Sequence, residues 1–361
     1  MRVLIDIGHP AHVHLFKNFS WEMIEKGHDV FFTCRDKEFE IYLLTKYGFK
    51  YKSFGKKYVS KVGKVWGLIE FDVKEFLAGL KFRPDIFLSH GSIYAAHAAF
   101  LLRKPNIALE DTFNFEQLRL SIPFSDVILT ADYDHPLTSN KKNISYAGYH
   151  ELAYLHPNRF EPDKKVLNEL GVNENEKYVI IRFVAWQASH DYGHQGISFE
   201  NKLWAVKEFK KYARVFISSE GKLPDELKQY KIPIPAEKMH DAIAFASLVV
   251  GESFTLLSEA AVLGTPAILM HDTHCYYLQE QQRRYNLSFN YSESAEDQIT
   301  AINKAIEILR IKDIKQEWHK RKESLLRDKI DVTTFLVWFV ENYPESFKVM
   351  KKNPNYQLHF K

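Results

Sequence analysis

The sequence predicts an α/β protein with two doubly wound parallel-sheet domains. Its 361 residues are many for a single hydrophobic core. Short apolar runs alternate with amphipathic stretches along the chain, which is typical of parallel strands joined by helical crossovers. The alternation restarts after residue 157. We therefore expect domains at 1–150 and 165–330, followed by a last helix and polar tail over 331–361.

The elements of the first domain follow from these apolar runs. Residues 2–7, "RVLIDI", predict a buried strand. Residues 13–26 carry Phe16, Phe19 and Met23 at helical spacing, and Gly27 is the expected C-cap. The same patterns predict a helix at 40–48 and strands at 29–34, 50–55, 85–90, 106–111 and 126–131.

The second domain repeats this organisation. Its predicted strands are 178–185, 214–219, 248–251 and 266–270, and its clearest helices are 201–213 and 255–264. The apolar stretch 335–343 predicts a final helix, which we expect to cross back to the first domain.

Histidine and acidic residues follow many of these strands. They occur in "GHPAHVH", "SHGS", "LEDT", "RFVAWQASHDYGH", "SSE", "GESFT" and "MHDTHC". Ligands of open parallel sheets bind beyond the carboxyl ends of the strands. We therefore expect one active site in a cleft between the two domains.

Composition excludes several classes of protein. The net charge of +3, from 49 basic and 46 acidic residues, disfavours a general nucleic-acid binder. Cys34 and Cys275 are the only cysteines, so we expect neither a disulfide framework nor a cysteine metal site, and a reducing cytoplasm. No uncharged apolar run approaches the ~20 residues of a membrane span.

Residues 55–71 mix lysines with aromatic and aliphatic side chains. Such a segment can contact the anionic inner face of a membrane, where a lipid-linked acceptor would be reached. It can equally be a loop leading into an amphipathic helix that packs on the sheet.

The stretch 239–272 predicts a phosphate site. A buried strand leads through Gly251, Glu252 and Ser253 into a helix, whose amides and positive dipole end favour anions. Glu259 lies about one turn in, ~6 Å beyond Thr255 along the axis. It can accept both hydroxyls of a ribose, or it can merely complement the helix dipole.

This stretch resembles the donor-nucleotide motif of GT-B glycosyltransferases, especially the lipid II-forming N-acetylglucosaminyl transferase. It is also similar to the non-hydrolysing UDP-N-acetylglucosamine 2-epimerases. The resemblance implies a diphosphate and ribose site at Gly251, Ser253, Thr255, Ser258 and Glu259. One position departs from the pattern: Glu252 replaces a glycine or serine, and would repel a diphosphate unless it points away.

Four segments resemble an uncharacterised prokaryotic GT-B-like family that is associated with surface-polysaccharide genes. They are "IDIGHPAHVHLFKNF", "KYGFKY", "RFVAWQASHDYGHQG" and "AAVLGTPAI". The resemblance implies a GT-B fold of two Rossmann-like domains and metal-independent glycosyl transfer from a nucleotide sugar, UDP-linked by expectation, to a glycan or lipid-linked acceptor.

Candidate catalytic residues come from the same resemblance. The histidine of the lipid II-forming enzyme falls on His12, and the lysine of the epimerases falls on His14. Gly8 lies in the same loop. A histidine supplies either a base for the acceptor hydroxyl or positive charge for the departing diphosphate. Glu110 and Asp111 are the second candidates for the base.

The remaining binding candidates follow other strands: Arg182, His190, Asp191, His194, Asp272 and His274. His190 and His194 have a metal-like spacing, but Gly193 and Gly196 disfavour a helix there, so we expect no metal and no cofactor. Two other functions stay open, a nucleotide-sugar 2-epimerase and a non-catalytic nucleotide-binding scaffold.

Overall fold

The computed structural model describes residues 1–36, 39–56, 58, 61–184 and 196–361. The chain forms two compact units. Unit 1 comprises Met1–Arg159 and Lys329–Lys361, and unit 2 comprises Phe160–Asp328. The C-terminal segment belongs to unit 1.

The sheet of unit 1 has seven parallel strands in the order β3-β2-β1-β4-β5-β6-β7. The strands are Arg2–Ile7 (β1), Asp29–Asp36 (β2), Tyr51–Lys56 (β3), Ile86–His90 (β4), Asn106–Glu110 (β5), Val127–Ala131 (β6) and Asn143–Tyr146 (β7). The strand order reverses between β1 and β4, which is where open α/β sheets bind ligands. Strand β7 is a four-residue edge strand that the apolar pattern did not predict.

Six helices precede the crossing into unit 2: Pro10–Glu25 (α1), Glu40–Lys46 (α2), Lys61–Phe82 (α3), Ile93–Leu102 (α4), Phe115–Ser121 (α5) and Leu152–Leu155 (α6). Helix α1 begins three residues earlier than predicted. His9 caps it by accepting a hydrogen bond from the amide of Ala11, and Pro10 suits the first helical position. His12 consequently lies in the helix and not before it, and His14 lies in the helix as expected.

The sheet of unit 2 has five parallel strands in the order β12-β11-β10-β8-β9. They are Tyr178–Phe183 (β8), Arg214–Ser219 (β9), Leu248–Gly251 (β10), Ala267–Met270 (β11) and Ser288–Tyr291 (β12). The order reverses between β8 and β10. Strand β12 was not predicted, because three of its four residues are only half buried and its apolar signal is weak.

The α-helices among the described residues of unit 2 are Lys165–Leu170 (α7), Phe199–Phe209 (α8), Met239–Phe245 (α9), Phe254–Leu263 (α10), Tyr276–Tyr285 (α11), Ala295–Arg310 (α12) and Ile314–Asp328 (α13).

The C-terminal segment adds Val332–Glu341 (α14) and Glu345–Lys352 (α15) to unit 1. It is not the simple polar tail that the sequence suggested. The rings of Trp338 and Tyr356 stack with centroids 4.8 Å apart, and the amide of Ala147 donates to Gln357 over 2.5 Å. Aromatic packing therefore holds the end of the chain.

The cores lie in the sheets, whose central strands are almost fully buried. Cys34 and Cys275 are both buried, and they form no disulfide with each other. Within the ranges that the structure describes, no helix combines the length and hydropathy needed to cross a bilayer.

Candidate functional site

The start of α1 orients His12 at the carboxyl end of β1. The Nδ1 atom of His12 accepts a hydrogen bond from the amide of Gly8 at 3.3 Å. The neutral ring therefore carries its proton on Nε2 and offers a hydrogen-bond donor. This arrangement suits a contact with a phosphate or sugar oxygen better than it suits a base.

Three further residues join His12 to form what we call the histidine cluster: His12, His90, Asp111 and His150. The Nε2 atom of His90, at the end of β4, lies 2.9 Å from Asp111 Oδ1. The Nδ1 atom of His150 lies 2.9 Å from Asp111 Oδ2. The ring of His12 stacks on that of His90, with centroids 4.4 Å apart. The cluster thus occupies the carboxyl edge of the sheet at its switch point.

Burial and charge act against each other in this cluster. Burial alone would lower the pKa of His90, but the carboxylate of Asp111 raises that pKa to about 9. Burial alone would raise the pKa of Asp111, but His150 and His90 hold it well below its usual range. The Asp111 carboxylate thus favours the protonated form of His90, and the two imidazoles favour the ionised form of Asp111.

Glu110 does not belong to the cluster. Its Oε1 atom accepts hydrogen bonds from the amides of Thr112 and Phe113, at 2.9 and 2.8 Å, and from the Thr112 hydroxyl. The side chain is 3% exposed. Glu110 thus fixes the turn after β5, which leaves Asp111 as the acid of this pair that can take part in chemistry.

His14 lies away from the cluster. Two residues along a helix correspond to a rotation of ~200°, so His14 and His12 point to different sides of α1. The ring of His14 packs near Tyr154, with centroids 5.5 Å apart, and its Nδ1 atom lies 3.5 Å from the hydroxyl of Tyr47. The structure therefore brings only one of the two expected catalytic histidines to the site.

In unit 2, the start of α10 lies beside the switch point of the sheet. Ser253 has extended backbone geometry at the N-cap, and its side chain forms no capping hydrogen bond. Ser253 and Thr255 are half-buried. Gly251 is required just before them, because a Cβ atom there would lie 2.2 Å from the carbonyl oxygen of Arg182. The strand thus ends in amides that can receive an anion.

Glu252 is turned away from the helix start. Its carboxylate accepts hydrogen bonds from the amides of Val184, at 2.8 Å, and Ile197, at 2.7 Å. The side chain is buried, and burial raises its pKa. The carboxylate that would repel a diphosphate therefore binds backbone amides in the interior of unit 2.

Glu259 and Ser258 are both buried. Glu259 lies 3.0 Å from the Nε2 atom of His240, which comes from α9. The carboxylate expected to bind a ribose is therefore already paired with an imidazole. Ser258 is 0% exposed and accepts a hydrogen bond from Gln281 of α11. It packs the interior, so we leave it out of the proposed site.

The other expected binding residues also have partners. Arg182 donates to Ser218 at 2.8 Å and to Glu220 at 2.6 Å. Asp272 accepts from the amide of Glu293, and His274 lies 2.9 Å from the amide nitrogen of Gln279. The candidates His190, Asp191 and His194 lie outside the described residues.

The sequence reasoning missed three residues that the structure places in these sites: His90, His150 and His240. His90 ends a predicted strand, and its segment "SHGS" was among the polar strand ends. His150 follows the unpredicted strand β7, so its position carried no signal. His240 lies far from Glu259 in sequence, and only the packing of α9 on α10 joins them.

The two parallel-sheet units, each with polar groups at a switch point, define an α/β protein of the GT-B class. The chain belongs to the family described as protein of unknown function (DUF354), whose model matches residues 1–343. No curated protein matches it by sequence.

Solved structures of the same fold include two epimerases and a glycosyltransferase. The UDP-GlcNAc 2-epimerase from Methanocaldococcus jannaschii has a TM-score of 0.61 and 13% identity, over 86% of this chain and 94% of that one. The UDP-GlcNAc 2-epimerase from Neisseria meningitidis bound to UDP-GlcNAc has a TM-score of 0.59 and 15% identity, over 91% of this chain and 100% of that one. The spinosyn rhamnosyltransferase SpnG complexed with spinosyn aglycone has a TM-score of 0.58 and 13% identity, over 95% of this chain and 100% of that one.

Proposed function

We propose that this protein is a nucleotide-sugar-dependent glycosyltransferase of cell-surface polysaccharide or glycoconjugate synthesis. The observation that carries the proposal is the histidine cluster at the switch point of the unit 1 sheet. A purely structural sheet edge has little use for three imidazoles around one buried carboxylate. The fold shared with nucleotide-sugar enzymes supports the same reading.

Unit 2 is assigned to the donor. The amides at the start of α10 receive the diphosphate, since Ser253 leaves them without a side-chain cap. The Glu259–His240 pair is assigned to the ribose, because a carboxylate held by an imidazole still has lone pairs for a hydroxyl. A UDP-linked sugar is the first donor to test.

Unit 1 is assigned to the acceptor. In the transfer, the bond from the sugar C1 to the diphosphate oxygen breaks and a bond from C1 to the acceptor oxygen forms. His12 donates from Nε2 to an oxygen that gains negative charge. Asp111, oriented by His90 and His150, accepts the proton of the acceptor hydroxyl.

Binding and turnover test this assignment separately. UDP, GDP, CDP and dTDP, with and without sugars, are screened by thermal shift, where a ligand at 100 times its Kd stabilises by about 2.7 kcal/mol. Release of the nucleoside diphosphate from the sugar measures turnover. We expect His12→Gln and Asp111→Asn to slow release without weakening nucleotide binding.

His14→Gln is the matched control, because it makes the same change on the other side of α1. It should leave release unchanged. If no nucleotide raises the melting temperature, or if His14→Gln slows release as much as His12→Gln, the assignment is wrong. Nucleotide binding without any turnover on candidate acceptors would favour the scaffold function.

A nucleotide-sugar 2-epimerase is the second candidate function. The observation that favours it is the contact of an imidazole, His90, with a carboxylate, Asp111, whose atoms lie 2.9 Å apart, because epimerisation requires an acid and a base at one carbon. Incubation with UDP-N-acetylglucosamine alone distinguishes the two, since an epimerase forms its product without an acceptor.

We also propose that the protein is cytoplasmic and touches the inner face of the membrane through α3 and α4. Their exposed side chains include Val65, Trp66, Ile69, Val73, Leu77, Leu80, Phe100 and Leu101. Such a large apolar face is unusual on a monomer, and Lys81, Arg83, Arg103 and Lys104 beside it are exposed cations. Phosphatidylglycerol vesicles should bind the chain, and Trp66→Asp should weaken binding while Ile299→Asp should not.

A further inference from the structure

Three side chains that follow three different strands of unit 1 bring their nitrogen and oxygen atoms close together. They are His90 after β4, Asp111 after β5 and His150 after β7. One ligand atom from each lies within 4.8 Å of the other two. All three are largely buried, with side chains 10%, 14% and 7% exposed.

Each contact between an imidazole nitrogen and the Asp111 carboxylate needs a proton or a metal ion between the two atoms. An ionised carboxylate only accepts, so each imidazole nitrogen that faces Asp111 must carry either a proton or a metal ion. Two other polar atoms nearby, His150 Nε2 and the hydroxyl of Tyr146, are buried without a hydrogen-bond partner in the described part of the chain. Buried polar atoms in that state indicate a bound polar molecule, such as an ordered water.

The geometry fits a first-row transition metal. His90 Nε2 lies 2.9 Å from Oδ1 of Asp111 and His150 Nδ1 lies 2.9 Å from Oδ2, and the two atoms of each pair subtend about 90° at an ion bound at ~2.1 Å from both. Tetrahedral ligands of one ion stand ~3.4 Å apart, so atoms that now lie within 4.8 Å of one another would close the set by shifts of up to ~1.4 Å.

We propose that His90, Asp111 and His150 bind one divalent transition-metal ion of the zinc, cobalt or manganese type. Two imidazoles and one carboxylate are the ligand types that these ions prefer, and three protein ligands leave a position open. If the proposed function holds, the ion would polarise the acceptor or sugar oxygen at that position, in place of the proton transfer to Asp111 assigned above. The binding itself does not depend on the reaction.

The test uses the full chain, without an affinity tag and without nucleotide. Co²⁺ is titrated and followed by its visible absorption, and Zn²⁺ and Mn²⁺ are titrated by calorimetry. We expect one ion per chain, and affinity at least about tenfold weaker in Asp111→Asn and His150→Gln. His97→Gln is the matched control, because His97 and Asp72 form another His–Asp pair of unit 1, at 3.0 Å, and binding should be unchanged.

X-ray absorption of the zinc-loaded native chain adds a measurement that no variant can confound by misfolding. We expect scattering from two imidazoles and from oxygen at ~2.0–2.1 Å. The proposal is overturned if none of the three ions binds at ~1 mM, if Asp111→Asn binds like the native chain, or if the spectrum lacks two imidazoles. Metal binding without a nucleotide response would instead remove only the proposed function.

Discussion

The substitution Glu252→Gln tests whether the carboxylate of Glu252 faces the expected diphosphate site or binds backbone amides inside unit 2. If Glu252 faced the diphosphate, removal of its charge would tighten nucleotide binding. In the structure its two oxygens accept from the amides of Val184 and Ile197. Glutamine has one carbonyl oxygen, so its NH₂ group would face one of these N–H donors. We therefore expect a less stable unit 2 and no gain in affinity.

The size of the effect follows from one orphaned amide. A buried N–H without an acceptor costs ~1–3 kcal/mol. Burial disfavours the charge of Glu252 and raises its pKa, so the neutral amide recovers part of that cost and the net loss lies toward the lower end. For a unit the size of Phe160–Asp328, each kcal/mol lowers the melting temperature by ~2–4 °C.

Urea unfolding and thermal melting measure the stability, and calorimetry with UDP measures the affinity. Glu174→Gln is the control, because that carboxylate is 66% exposed in a surface pair with Lys164 and should change stability by less than ~0.5 kcal/mol. A Glu252→Gln protein as stable as the control that binds UDP more tightly would refute the reasoning.

Three further predictions concern the frame of the two sites. Gly251→Ala should destabilise unit 2 by ~1–3 kcal/mol in urea, since the new Cβ meets the carbonyl of Arg182; unchanged stability would contradict the close approach. Glu110→Ala should destabilise unit 1 by ~1–3 kcal/mol, because the amides of Thr112 and Phe113 lose their acceptor. An unchanged stability would show that the turn after β5 does not depend on these hydrogen bonds. The hydrogen bond that His97 donates to Asp72 raises the pKa of His97, so its stabilisation is present below the ordinary histidine pKa of ~6.5 and is lost as pH rises through the raised value. The stability gap between native and His97→Gln proteins should therefore shrink with rising pH, and a constant gap would argue against the ion pair.

Local patterns were enough to predict most of the fold. Continuous apolar runs predict both strand β1 and helix α10. Gly264, which has a positive φ, marks the end of the helix. The start of α1 was misplaced, because His9 is a rare N-cap and the helix was expected only from the apolar Val13. Strands β7 and β12 were missed since each is a short edge strand with little hydrophobic signal.

The sequence by itself determined the two α/β halves and the polar strand ends, because periodicity and turn residues act over a few neighbours. It did not determine which of those polar residues meet. Only tertiary structure decided that His12 joins His90, Asp111 and His150, that His14 turns to Tyr47, and that Glu252 faces inward. These outcomes depend on strand order and on the rotation of each helix about its axis, which are set by contacts between residues far apart in the chain.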